Sequence, residues 1–92
     1  MNKIRLIYME DDKEIGQVDL LEDHELTNLK VLPKRRREGI AHMLVQLGEV
    51  VAQEMGYSRV FATTAMDNVA SRKLWEKRAY KQYFKYEKIF DA

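Results

Sequence analysis

Four consecutive cations, Lys34 to Arg37, run into Glu38, Gly39 and an apolar-periodic segment within "KVLPKRRREGIAHML", Lys30 to Leu44. The first turn of a helix carries N–H groups without intrahelical acceptors, and its aligned peptide dipoles place partial positive charge there. A diphosphate can accept several of those N–H bonds at once. Close approach needs a residue without a side chain, which Gly39 supplies, and Ala41 keeps the next inward position small. Lys34 to Arg37 add a field of the right sign. The same residues also suit a solvated cation run beside a glycine that eases the start of a helix. One glycine beside cations does not decide between these readings.

Two ionisable side chains lie upstream. Glu25, in the acidic turn "EDHE", reads as an ordinary exposed carboxylate. His24 has an unperturbed pKa suited to proton transfer but is equally a surface turn residue. His24 and His42 are far apart in the chain and lack an evident ligand cluster, so no metal is implied. Cysteine is absent, which excludes disulfides and thiolate chemistry.

Hydrophobic period gives the strands and helices that hold these residues. "KIRLIYM" (Lys3–Met9) alternates and predicts a strand; "EDDKE" is turn chemistry; "IGQVDLL" (Ile15–Leu21) returns as a second strand. "LTNLKVL" (Leu26–Leu32) predicts a third strand, ended by Pro33, and the three suggest an antiparallel meander. From Gly39 to Met55 the spacing of Ile40, Met43, Leu44, Leu47, Val50, Val51 and Met55 predicts a helix with that stripe inward, capped by Gly56. "SRVFATT" (Ser58–Thr64) predicts a strand. Asp67 or Asn68 caps a second helix through about Lys77, with Val69, Leu74 and Trp75 inward. "YKQYFKYEKIF" (Tyr80–Phe90) predicts one strand, or two with a bend. The order is β-β-β-α-β-α-β, and a strand–loop–helix–strand unit tends to place ligands where its helix begins.

The totals bound the class. Ninety-two residues, 46% hydrophobic and 34% charged, suit one small soluble domain, 1–92. No apolar run nears the roughly 20 residues that span a bilayer, and the start does not resemble a secretory signal, so a cytoplasmic location is expected. The net charge of +1 hides an asymmetry: residues 1–29 hold eight acids against Lys3, Arg5 and Lys13, and the basic half begins at the quoted loop. A near-neutral total argues against a dedicated nucleic-acid binder.

"VLPKRRREGIAHML" resembles the acetyl-CoA-binding motif of the GNAT superfamily of N-acetyltransferases. That motif, Gln/Arg-x-x-Gly-x-Gly/Ala after a Val-x-Pro-like turn, is filled in order by Arg36, Arg37, Glu38, Gly39, Ile40 and Ala41. "NVASRKLWEKRAY" resembles the second family motif, with Asn68, Ser71, Leu74 and Trp75 at its spacing and Ala79-Tyr80 where Gly-Phe is usual. The resemblance runs from roughly Ile15 to Phe90. It implies an α+β fold, three-layer-like, whose mixed and mostly antiparallel sheet carries two helices.

The resemblance also implies a chemistry. Backbone groups of Leu29, Lys30 and Val31 lie along the pantetheine arm, and an N–H there polarises the thioester carbonyl. The N–H groups from Arg36 to Ala41 hold the diphosphate, Asn68 touches the pantetheine or the thioester region, and Ser71 or Arg72 faces the rest of the cofactor. Glu25, eleven residues before Arg36, matches the base glutamate of the histone-acetyltransferase branch. Acetyl-CoA as substrate, an amine acceptor such as a protein lysine or N-terminus, and no metal complete the expectation. Two departures stand out. The tyrosine that many members use to protonate the thiolate is replaced by Trp75. The strand and two helices that usually precede the first hairpin have no counterpart, which predicts a truncated member that favours a homodimer or a partner protein. The competing expectation is a non-catalytic acyl-CoA-binding or interaction module.

Overall fold

The computed structural model describes residues 2–63, 69–82 and 86–90, with the backbone alone for 69–71, 81 and 82. The chain opens with a three-stranded antiparallel meander, β1 (Lys3–Glu10), β2 (Lys13–Leu21) and β3 (Leu26–Val31). Glu10 pairs with Lys13 across a two-residue turn, Asp11 and Asp12, with φ of 49° and 66°. Such left-handed pairs match the twist of the strands they join, and aspartate tolerates them better than most side chains.

β3 ends at Val31, one residue before the predicted end, because Leu32 and Pro33 lead into a 3-10 turn over Pro33–Arg35. Helix α1 (Ile40–Glu54) follows, then β4 (Arg59–Ala62), α2 (Val69–Lys77), β5 (Lys81–Gln82) and β6 (Tyr86–Ile89). The C-terminal stretch forms two strands, the second of the expected alternatives: β5 and β6 pair antiparallel, and β6 pairs with β4 in a second sheet of order β4-β6-β5. The predicted caps Asp67 and Asn68 lie outside the described residues.

The buried face of α1 is rotated from the predicted stripe. Ile40, Leu44, Val45, Gly48, Glu49 and Ala52 face inward, whereas Leu47, Val50 and Met55 are 45–47% exposed. The cause is close packing: Gly48 and Ala52 let the helix axis approach Leu26 and the sheet, and small residues carry little weight in a hydrophobic pattern. Leu44 and Val45 of α1 share the core with Val18 and Leu20 of β2, Leu26 of β3, and Val60 and Ala62 of β4. Each fully buried leucine or valine contributes about 1.5–3 kcal/mol.

Among the described residues the two sheets meet at one parallel bridge, Glu25 to Phe61, where the Phe61 N–H donates to the His24 carbonyl at 3.2 Å. β4 ends one residue later, at Ala62, while β3 continues to Val31. Beyond the bridge the outer edge of β3 therefore has no strand partner among the described residues.

Candidate functional site

β3 carries a one-residue irregularity: Gln17 pairs with Lys30 but Asp19 pairs with Thr27, which leaves an extra residue on the β3 side. Asn28 absorbs it with φ of 52°, a value asparagine reaches more readily than most residues. Asp19, fully buried, accepts the Asn28 amide at 2.9 Å and fixes the bulge. Bulges bend a strand and re-aim the residues beyond them, here Leu29 to Val31.

Hydrogen-bond alternation gives the direction of that segment's backbone. The Leu32 N–H donates to the Ile15 carbonyl at 2.9 Å, so Leu32 faces β2. Gly16 pairs with Val31 in the same register. Paired residues alternate between bonding their partner and pointing away, so the N–H and C=O of Val31 point to the open edge.

A cavity of about 1020 Å³ lies against this edge. Its walls are Glu14 to Gln17 of β2, Leu29 to Pro33, Arg35 to Arg37, Gly39 to His42, and Leu74 of α2. Ligand pockets commonly occupy about 300–1,000 Å³, so this space has room for a sizeable small molecule.

The mouth of α1 opens into the same cavity. Gly39 is the N-cap, with φ of 81° and no capping side chain. A Cβ placed on it would meet nothing within 4 Å. Among the described residues, the N–H groups from Arg36 to His42 donate to no protein acceptor; the first helical bond runs from the Met43 N–H to the Gly39 carbonyl at 3.0 Å. Arg37, with φ of 68°, precedes Gly39 by two residues. Left-handed residues within a turn shape successive N–H groups into an anion-binding concavity. A capping Ser or Asp would have consumed one of these donors.

The cation run divides its labour. Arg35 does not contribute to the field: its guanidinium binds Glu10 at 2.6 and 3.1 Å and Glu38 at 2.8 and 3.0 Å. Those partners drive Glu10 down to about 2, chiefly through the Arg35 bond and then through the Tyr8 hydroxyl, and lower Glu38 through Arg35. Lys34, Arg36 and Arg37 are exposed, and Arg36 and Arg37 line the cavity. No sequence signal marked Arg35 as different, because Glu10 lies 25 positions away.

Most of the other expected residues reach the cavity. Leu29, Lys30, Val31, Arg36, Arg37, Gly39, Ile40 and Ala41 line it; the Ile40 side chain is buried in the core, so only its backbone is available there. Glu38 is not on the lining and its carboxylate is held by Arg35. Asn68 lies outside the described residues, and Ser71 is described only as backbone within α2. Glu25 does not line the cavity; it sits at the bridge, half-buried, and accepts the Thr63 hydroxyl at 3.1 Å. It precedes Leu29 by about 13 Å of extended strand. His24 is stacked on Tyr57, ring centroids 3.8 Å apart, which gives it a packing role.

His42, which the sequence raises only as a metal ligand, is on the cavity wall, where burial and the charges of Arg78 and Lys77 lower its pKa. Trp75 is 4% exposed and packs on Tyr80 at 5.0 Å. The Tyr80 hydroxyl donates to Glu49 at 2.8 Å, and burial raises its pKa far above neutral. Neither is placed as a proton donor. Among the described residues no three acidic or histidine side chains gather as a metal site, and no helix is long and apolar enough to cross a membrane.

The comparison with protein families decides the lineage. A model of the "Acetyltransferase (GNAT) family" matches residues 2–80. The chain belongs to the GNAT acetyltransferase family. Solved GNAT structures agree in fold. The PaiA N-acetyltransferase of Thermoplasma acidophilum, in complex with coenzyme A, superposes with a TM-score of 0.85 at 18% identity, over 98% of this chain and 62% of that one. AAC(6')-Iy, bound to a bisubstrate analogue joining CoA to an acetylneamine, gives 0.81 at 22% identity, over 87% and 63%. A streptothricin acetyltransferase assigned in Bacillus anthracis, in complex with acetyl-CoA, gives 0.78 at 23% identity, over 87% and 48%. This GNAT chain thus spans about half to two thirds of the length of those relatives. No curated protein sequence matched it.

Proposed function

We propose that the chain binds acetyl-CoA and transfers its acetyl group to a primary amine. The observation that carries the reading is the unpartnered row of N–H groups from Arg36 to Ala41, opening into a cavity that continues along the free edge of β3. The diphosphate accepts those N–H bonds, with Arg36 and Arg37 adding charge. The pantetheine arm runs beside β3, where the N–H and C=O of Val31 offer it the bonds an added strand would make. In this reading Asn68 meets the pantetheine or the thioester region and Ser71 the rest of the cofactor.

The reacting end then lies toward the Glu25–Phe61 bridge. The neutral amine attacks the thioester carbonyl carbon, the C–S bond breaks, and coenzyme A leaves as thiolate. The ammonium proton passes to Glu25, directly or through water, and the thiolate takes a proton from solvent. Holding amine and thioester together supplies most of the acceleration, and a base adds roughly 10²–10⁴-fold.

Trp75 favours a second reading, an acyl-CoA-binding module without turnover. It occupies the position of the usual tyrosine acid and is buried against Tyr80. Free-thiol detection with acetyl-CoA and a panel of aminoglycosides, lysine peptides and free peptide N-termini separates the two. Thiol release with any amine supports transfer; cofactor binding without release across the panel supports the module. Homodimerisation or docking to another protein is part of the same proposal, and light scattering at rising concentration tests it.

A further inference from the structure

We propose that Glu10 is a positioning residue for the acetyl-CoA site: through Arg35 it holds the diphosphate-binding loop in shape. The inference rests on the acetyl-CoA reading above. Glu10 is the last residue of β1, and Arg35 ends the 3-10 turn that opens the loop. Their bidentate pair, at 2.6 and 3.1 Å, fastens the loop to the far end of the first hairpin. Glu38 grips the same guanidinium from the other end of the loop, at 2.8 and 3.0 Å. The Tyr8 hydroxyl donates to Glu10 at 2.5 Å and fixes the carboxylate from behind.

The result is a loop closed on itself and anchored at one point, with Arg36, Arg37 and Gly39 on the cavity side. Arg37 has φ of 68°, a conformation that a bulky side chain keeps only when its surroundings over-determine it. The clamp is the over-determining element. Planar, paired contacts of this kind fix orientation as well as charge.

A rival account fits the same residues: Arg35 is a phosphate ligand parked on two carboxylates until the diphosphate arrives. The two accounts differ in sign. If Arg35 is a ligand, neutralising Glu10 frees a cation and removes a repelling anion, so acetyl-CoA binds more tightly. If Arg35 is a tether, neutralising Glu10 loosens the N–H row, and acetyl-CoA binds more weakly.

The test is Glu10→Gln, with Glu38→Gln as a second variant on the other arm of the clamp. Calorimetry with acetyl-CoA and steady-state kinetics read the site; ¹⁵N order parameters of residues 36–39 read the loop in ligand-free protein. The tether predicts Kd and KM for acetyl-CoA raised roughly 5- to 20-fold with kcat at saturating cofactor within about twofold. It also predicts order parameters falling from about 0.85 toward 0.6. Tighter or unchanged binding, or order parameters that do not fall, overturns it. Wild-type protein that fails to bind acetyl-CoA would sink the cofactor reading instead, and the order parameters would still decide the tether.

Discussion

Gly48 of α1 lies directly over Leu26 of β3: a Cβ added to Gly48 would stand 2.7 Å from Leu26 Cδ2. Leu26 is 2% exposed, so its methyl cannot retreat without displacing core neighbours. This contact sets how closely the helix that opens into the site approaches the strand that forms its wall. Gly48→Ala gains up to about 1 kcal/mol of helix propensity and loses about 1–3 kcal/mol to overpacking. The expected net loss of about 1 kcal/mol lowers the thermal midpoint by roughly 4–8 °C. A midpoint that rises would contradict the packing described.

Glu49 is a charged residue on the buried face of α1, held by Arg78 at 2.8 Å, Tyr80 at 2.8 Å and Lys88 at 3.2 Å. It ties α1 to the end of α2 and to β6. Tyr80→Phe removes one donor from a desolvated carboxylate and should cost about 1–3 kcal/mol in urea unfolding. It should leave acetyl-CoA binding unchanged, since Tyr80 does not line the cavity.

Acid stability has a clear sign. Arg5, bonded to Asp19 at 2.8 and 3.1 Å, lowers the Asp19 pKa to about 2 against the opposing effect of burial, with help from Asn28. Its contribution is therefore fully present above the ordinary aspartate range near pH 4 and is lost as pH falls toward 2. Arg5 is partly exposed and screened, so about 1–2 kcal/mol is expected. Glu10 titrates in the same window. Urea midpoints from pH 7 to 2.5 should converge for wild type and Asp19→Asn at the acid end; parallel curves would refute the assignment.

Glu25 is a carboxylate at the bridge to Phe61. As a base, its loss in Glu25→Gln lowers kcat by roughly 10²–10⁴-fold while the Kd for acetyl-CoA stays within twofold. A kcat within threefold of wild type assigns Glu25 to the Thr63 hydrogen bond alone.

Much of this is legible in the chain because it is local. Alternation places β1 to β3, period places α1, and Gly39 beside cations is where the sequence suggests an anion site. The features that escape depend on distant partners. Arg35 looks identical to its neighbours until Glu10 folds onto it, and nothing in the α1 pattern marks Glu49 as the buried partner of Arg78, Tyr80 and Lys88. The buried face of α1 is only partly visible to periodicity: Ile40 and Leu44 are buried as expected and Met43 and Val51 pack against the core, but Gly48 and Ala52, on the buried face, carry little hydrophobic signal. The Asn28 bulge is a matter of register between two strands, which a single strand's pattern does not contain.

The acetyl-CoA reading requires a diphosphate on the N–H groups between Arg36 and Ala41. The most direct measurement is a calorimetric titration of wild type and Gly39→Glu with acetyl-CoA, with circular dichroism confirming that both are folded. Open space around Gly39 lets the variant fold, while its left-handed backbone and new carboxylate disrupt the N–H row. Saturable binding to wild type and no detectable heat from the variant is the predicted result. Equal affinity in the two proteins would contradict the account.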